Sequence, residues 1–235
     1  MSQTIEFGTP ILAKNDELAN RLRARYAEEG VYVVNLLSSP GAGKTTTILA
    51  TLSRLSQRYR IGVIEGDIAS DVDAVKVKQA GARAVQINTG GLCHLESAMI
   101  DRALDVLHPE ELDLIIIENV GNLVCTVDFD LGETLRAMIL SVPENDDKLL
   151  KYPGIFQSSQ AVVVSKIDTM PVFDFDMDRF TKTMDQINPQ ARIFPLSSKT
   201  GQGVDAWCDF LAEGIERCKA EAGSGTPTAG RGEAR

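Results

Sequence analysis

Lys44 and Thr45 close the run Ser38-Ser39-Pro40-Gly41-Ala42-Gly43-Lys44-Thr45-Thr46-Thr47, in which two glycines stand two apart ahead of a cation and a hydroxyl. Gly41 and Gly43 let the backbone wrap with its amides turned inward. At the start of a helix this makes an anion nest, where the helix dipole adds to the attraction. Polyphosphate suits such a nest. The loop from Gly41 through Ala42, Gly43 and Thr46 would surround it, with Lys44 reaching the β- and γ-phosphates and the Thr45 hydroxyl on Mg²⁺. This is the P-loop pattern, with Ser38 where the strict pattern has Gly.

Acids fall where a magnesium site needs them. Glu65-Gly66-Asp67 and Glu118-Asn119-Val120-Gly121 each follow an aliphatic run, and the C-terminal ends of such strands face the P-loop. Asp67 and Glu118 are the expected ligands, direct or through water, with Asp71 and Asp73 on the segment that follows. Asp71 and Asp73 equally suit a solvated helix start, where acids complement the dipole. An acid after four aliphatics, as at Glu118, is costly to bury without a partner.

The base is read further on. Ser165-Lys166-Ile167-Asp168 resembles the Asn-Lys-x-Asp guanine element of GTPases. A carboxylate at Asp168 accepts from guanine N1 and the 2-amino group, donors that adenine lacks there, so the wrong base leaves a polar group unpaired. Lys166 would lay its stem along the base, and Ser165, too short to act as the usual Asn at the base edge, would lower affinity. Ser197-Ser198-Lys199 resembles the Ser-Ala-Lys loop whose amides meet guanine O6. GTP and GDP are therefore the expected nucleotides.

A third group is softer. Cys93 and His94 follow a strand, and Cys125 follows Gly121 by four residues. Two thiolates and an imidazole suit Zn²⁺ or Ni²⁺, although adjacent Cys-His sets no ligand spacing and buried cysteines more often pack than ligate. Cys208 and Cys218 read as structural or exposed thiols, and His108 as a helix-end cation.

These residues need strands and helices to hold them. Apolar, β-branched runs at Val31–Leu37, Ile61–Ile64, Ala84–Ile87, Leu114–Ile117, Ala137–Leu140, Ala161–Val164 and Arg192–Leu196 predict buried strands. Between them, Asn15–Glu29, Thr45–Gln57, Ala69–Gln79, Leu95–Leu107, Phe175–Ile187 and Val204–Ala220 carry helical spacing. The alternation predicts an α/β P-loop fold, with a mostly parallel central sheet flanked by helices on both faces. Residues 1–30 are expected as a helical extension packed outside the nucleotide core, 31–220 as the nucleotide domain, and 221–235, poor in apolar residues, as a disordered tail.

Composition limits the partners. At 235 residues with 43% hydrophobic content, the chain can bury one sizeable core. A net charge of −9 repels nucleic acid and anionic lipid. No apolar run approaches a membrane span, and Glu6, Lys14, Asp16 and Glu17 interrupt any secretory core, so a cytoplasmic protein is expected.

Ile64-Glu65-Gly66-Asp67, Gln86-Ile87-Asn88-Thr89-Gly90, Cys93-His94-Leu95, the run from Glu118 to Cys125, Phe129-Asp130-Leu131-Gly132-Glu133 and Lys151-Tyr152-Pro153 together resemble the HypB family, the hydrogenase nickel-incorporation GTPases. The resemblance covers nearly all of the chain before the tail. It implies a GTP-dependent homodimer, and Asn122 after Gly121, where Ras-like enzymes have a water-orienting glutamine, predicts slow intrinsic turnover in a dimer that GTP favours. Cys93, His94 and Cys125 would bind Ni²⁺ or Zn²⁺ at the subunit interface, and Lys151 would approach the partner subunit's nucleotide. The implied partners are hydrogenase maturation proteins and the large-subunit precursor of a [NiFe]-hydrogenase. The N-terminal cysteine-rich or histidine-rich nickel stretch of some members is absent, since His94 and His108 are the two histidines. The competing readings are a partner switch without metal traffic and a related GTPase serving urease or a cobalamin-dependent mutase.

Overall fold

The computed structural model describes residues 9–66 and 76–224. Seven strands form one sheet: β1 (Tyr32–Ser38), β2 (Ile61–Glu65), β3 (Arg83–Gln86), β4 (Leu114–Glu118), β5 (Leu135–Ser141), β6 (Ala161–Ser165) and β7 (Arg192–Pro195). Their order is β3-β2-β4-β1-β5-β6-β7, and every pairing is parallel. Parallel strands covered on both faces bury every residue, which explains the unbroken aliphatic runs of β4 and β6.

The helices are α1 (Thr9–Glu29), α2 (Lys44–Leu55), α3 (Ser97–Leu107), the short α4 (Cys125–Asp128), α5 (Lys148–Lys151) and α6 (Pro153–Gln157), then α7 (Met177–Ile187) and α8 (Val204–Ser224). Val34 and Leu36 of β1 point to the face covered by α2 and α8, where Ile48, Leu52, Trp207 and Leu211 pack. Val33 points to the other face, where Leu22 and Tyr26 of α1 and Ile100 and Leu104 of α3 meet Ile115 and Ile117. On that same face, Phe156, Phe180 and Met184 of α6 and α7 cover Met138, Leu140, Val162 and Val164.

All seven expected strands are present, β5 starting two residues earlier than its apolar run suggested, but β3 and β7 are not buried as expected, because each closes an edge of the sheet and is largely open to solvent. The helix expected over Ala69–Gln79 is described only at 76–79. The last helix continues to Ser224, past the expected tail boundary at 221, because Ile215 and Cys218 keep its inner face packed. Helix α1 buries Ala19, Leu22 and Tyr26 against α3 and β1, so it shares a core with the sheet. Among the described residues, no helix is long and apolar enough to cross a membrane.

Candidate functional site

The site lies at the C-terminal ends of the central strands, where β1 hands over to the P-loop. Gly41 (φ +76°) and Gly43 (φ +100°) take the left-handed conformation, and Gly43 stands directly before α2. That conformation turns successive amides to one side. Lys44 is buried, and its ammonium donates to Ser38 Oγ at 2.9 Å. Ser38 thus departs from the strict pattern by supplying the lysine with an acceptor inside the loop, while its own hydroxyl donates to the Ser39 carbonyl.

Register explains the acidic edge. Glu118 of β4 lies beside Glu65 of β2 and Leu36 of β1, and both carboxylates are buried. Thr45 Oγ1 donates to Glu118 Oε1 at 3.0 Å. A hydroxyl and a carboxylate so close together are hard oxygen donors of the kind Mg²⁺ takes. Asp67, Asp71 and Asp73 lie outside the described residues. Glu65 was noted from sequence at its strand end but passed over as a ligand in favour of Asp67, although its place at the end of an aliphatic run is the signal that marked Glu118.

At the base end, Asp168 and Ser197 come together: Ser197 Oγ donates to Asp168 Oδ1 at 2.6 Å. The Ser197 amide is occupied by the Gln202 carbonyl, so the expected base contacts fall to the amides of Ser198 and Lys199. Lys166 holds φ +60° and sends Nζ to the Gly41 carbonyl at 2.6 Å, its stem crossing the P-loop. The Ser165 hydroxyl donates to the Ala42 carbonyl at 2.6 Å, tying the segment from Ser165 to Asp168 to the P-loop.

Glu144 was missed by the sequence reading. It accepts hydrogen bonds from the P-loop Ser39, from the Ser141 amide and hydroxyl, and from Lys148. Burial pushes its pKa up, but the bonds from Ser39 and Ser141 outweigh burial and leave it low. Lys151, three residues beyond Lys148, is exposed and paired with Asp147 at 2.7 Å.

The softer group sits on the segments leaving β3 and β4. Cys93 Sγ lies 3.6 Å from His94 Nδ1, and His94 stacks on Phe129 with ring centroids 3.7 Å apart. His94 Nε2 faces Glu96 at 3.5 Å. The neighbouring Cys93 thiol first and burial second raise the Cys125 pKa. Among the described residues, no three His, Cys, Asp or Glu side chains of one chain are gathered closely enough to hold a metal. Leu92 and Val124, each next to one of the cysteines, are exposed.

Two asparagines connect this group to the phosphate end. Asn119 Oδ1 accepts the Val120 amide at 2.9 Å and the Leu95 amide at 3.4 Å, while Nδ2 donates to Asn35. Asn122 Oδ1 accepts the amides of Val124 and Cys125, both at 2.8 Å. Between them, Gly121 lies against the P-loop so closely that a Cβ there would come within 2.9 Å of the Pro40 nitrogen.

Sheet order, glycine-rich loop and buried lysine define a P-loop nucleotide-binding protein. The family model for the CobW/HypB/UreG nucleotide-binding domain matches residues 32–195. The hydrogenase/urease maturation factor HypB of Helicobacter pylori (strain 26695) is 44% identical over 207 residues, covering 86% of this chain and 85% of that protein. The hydrogenase maturation factor HypB of Escherichia coli K12 is 41% identical over 214 residues, covering 91% and 73%. The crystal structure of Helicobacter pylori HypB in complex with nickel superposes with a TM-score of 0.81 at 42% identity, over 87% of this chain and 96% of that one. HypB from Archaeoglobus fulgidus gives 0.82 at 38%, over 86% and 99%. The chain belongs to the CobW/HypB/UreG family, on its HypB branch.

Proposed function

We propose that this protein is a GTP-hydrolysing nickel metallochaperone that carries Ni²⁺, or Zn²⁺ in its place, on Cys93, His94 and Cys125 and assists nickel insertion into a [NiFe]-hydrogenase. The observation that carries this reading is the short run from Glu118 to Cys125. It starts at the carboxylate bonded to Thr45, passes Gly121 against the P-loop, and ends with Asn122 holding the Cys125 amide. A change at the γ-phosphate that moves this run moves a metal donor with it.

Thr45 and Glu118, with Asp67 and Asp73, would hold Mg²⁺, which when bound neutralises charge on the β- and γ-phosphates. Lys44 binds the same phosphates, and Asp168 with Lys166, Ser198 and Lys199 selects guanine. Asn122 stands where related switch proteins carry a water-orienting glutamine, and its side-chain oxygen is committed to two backbone amides. Intrinsic turnover should therefore be slow, on the order of 10⁻³ s⁻¹ or less.

The described residues of one chain gather no complete donor set, so we assign the metal site to a contact between two copies. The exposed Leu92 and Val124 would be buried there beside the thiols. GTP would favour that dimer, Lys151 would approach the partner's nucleotide, and hydrolysis would release the metal to hydrogenase maturation partners and the large-subunit precursor.

Equilibrium dialysis of nickel against the metal-free protein, with GDP and with a non-hydrolysable GTP analogue, tests the reading, using Cys93→Ala as control. A nucleotide-dependent affinity that vanishes in the variant is expected. Equal, weak binding in every state would leave a GTPase switch without metal traffic.

A further inference from the structure

Among its described residues, α1 buries one polar side chain, Asn15. Its Nδ2 donates to the Asp130 carbonyl at 2.8 Å, and its Oδ1 accepts the Ser97 amide at 2.8 Å. The Ser97 hydroxyl, fully buried, lies 2.7 Å from the same Asp130 carbonyl and 3.2 Å from the Asn15 carbonyl. Ser97 opens α3, whose N-cap residue Glu96 makes no side-chain cap. An uncapped first-turn amide buried in protein is costly. Asn15 supplies the missing acceptor from 82 residues away.

The two segments it joins are those of the soft donors. Ser97 follows His94 by three residues, and Asp130 follows Phe129, on which His94 stacks, and the α4 turn that begins at Cys125. Helix α1 also grips the second segment elsewhere. Arg23 pairs with Asp130 at 2.6 Å, and Gly132 (φ +76°) lies so close that a Cβ would come within 2.6 Å of the Ala19 carbonyl.

We propose that Asn15 is a positioning residue for the Cys93, His94 and Cys125 group, fixing the two donor segments in register at the end away from the thiols. This rests on the metal reading given above. At the open end, the segments meet through the His94–Phe129 ring stack and one long hydrogen bond, 3.4 Å from the Leu95 amide to Asn119 Oδ1, both weak contacts. At the closed end they meet through a buried, mutually satisfied amide network, which resists shear because moving either segment leaves a polar group unpaired. Metal affinity depends on donors held to a few tenths of an ångström, so the stiff end governs the soft one.

Nickel dialysis of full-length Asn15→Ala, with GDP affinity and thermal midpoint measured alongside, tests this. Nickel affinity should fall about tenfold, the scale of lost outer-shell support, with GDP affinity unchanged. Leu22→Val removes a methylene from the same buried face of α1 without touching the network, and should leave nickel affinity intact at a comparable loss of thermal stability. Should Asn15→Ala fail to fold, Asn15→Asp, which keeps an acceptor for Ser97 and loses the donor to Asp130, takes its place. Wild-type nickel affinity in the Asn15 variant, or an equal loss in Leu22→Val, would overturn the inference. A wild-type protein that binds no nickel would overturn the metal reading and this inference with it.

Discussion

Asn122 Oδ1 accepts the backbone amide of Cys125 at 2.8 Å, so the residue beside the P-loop-facing Gly121 also fixes where the Cys125 thiol begins its helical turn. The turn of α4 has no other side-chain cap. Asn122→Ala should therefore release the Val124 and Cys125 amides, at about 1 kcal/mol of local stability. It should also flatten the difference in nickel affinity between GDP and a GTP analogue, with nucleotide affinity retained. Dialysis in the two nucleotide states reads the effect. An undiminished difference would mean that the coupling runs elsewhere.

Asp168 and Ser197 should separate specificity from affinity. Asp168→Asn exchanges an acceptor for a donor opposite guanine N1 and should shift preference from guanine toward xanthine nucleotides. Ser197→Ala leaves the carboxylate chemistry intact and removes the hydrogen bond that orients it. At about 1 to 1.5 kcal/mol for that bond, GDP affinity should drop roughly five- to tenfold with base preference unchanged. Titration of each variant with GDP and XDP checks both. Unchanged guanine preference in Asp168→Asn would remove Asp168 from base recognition.

Asp113 predicts an acid limb in the stability profile. Burial raises its pKa, but hydrogen bonds from the Arg60 side chain and backbone and from Lys219 overcome this and lower it to about 2. A carboxyl with a depressed folded-state pKa stabilises the fold above its ordinary value near 4, and that contribution is lost as pH falls from about 4 toward 2. The two cations are largely exposed, so solvent screening leaves on the order of 1 to 2 kcal/mol. Urea unfolding at pH 7 and pH 3 should show Asp113→Asn less stable at pH 7 and closer to wild type at pH 3.

The strands were legible because a parallel sheet covered on both faces asks for unbroken aliphatic runs, and the glycine-lysine-threonine and lysine-x-aspartate patterns each act within a few consecutive residues. The single turns α4, α5 and α6 were not, since four or five residues carry no helical period to detect. Ser38 and Ser165 looked like defects in their motifs. Sequence shows the residue missing from a pattern, whereas the partners that replace it, Lys44 and the Ala42 carbonyl, come from the fold. Glu144 and Asn15 act across 105 and 82 residues, on Ser39 and Ser97 respectively; Asn15 carries no local signature, and the one Glu144 carries, the capping box Ser141-x-x-Glu144, says nothing of Ser39.

Thiol reactivity should divide the four cysteines into two pairs. Cys208 and Cys218 are buried in the face of α8 that packs on the sheet, and burial pushes their pKa values up to about 12 and about 11. Alkylation proceeds through the thiolate and needs access, so both should resist iodoacetamide at pH 8 in the native state. Cys93 and Cys125 are only partly buried and should be modified first. Nickel or zinc should protect that pair alone, since a ligating thiolate is no longer free to attack. Peptide mass spectrometry after a timed pulse reports each site separately. Equal labelling of Cys93 and Cys125 with and without metal would argue against their serving as ligands, and early labelling of Cys208 or Cys218 would show α8 opening from the sheet.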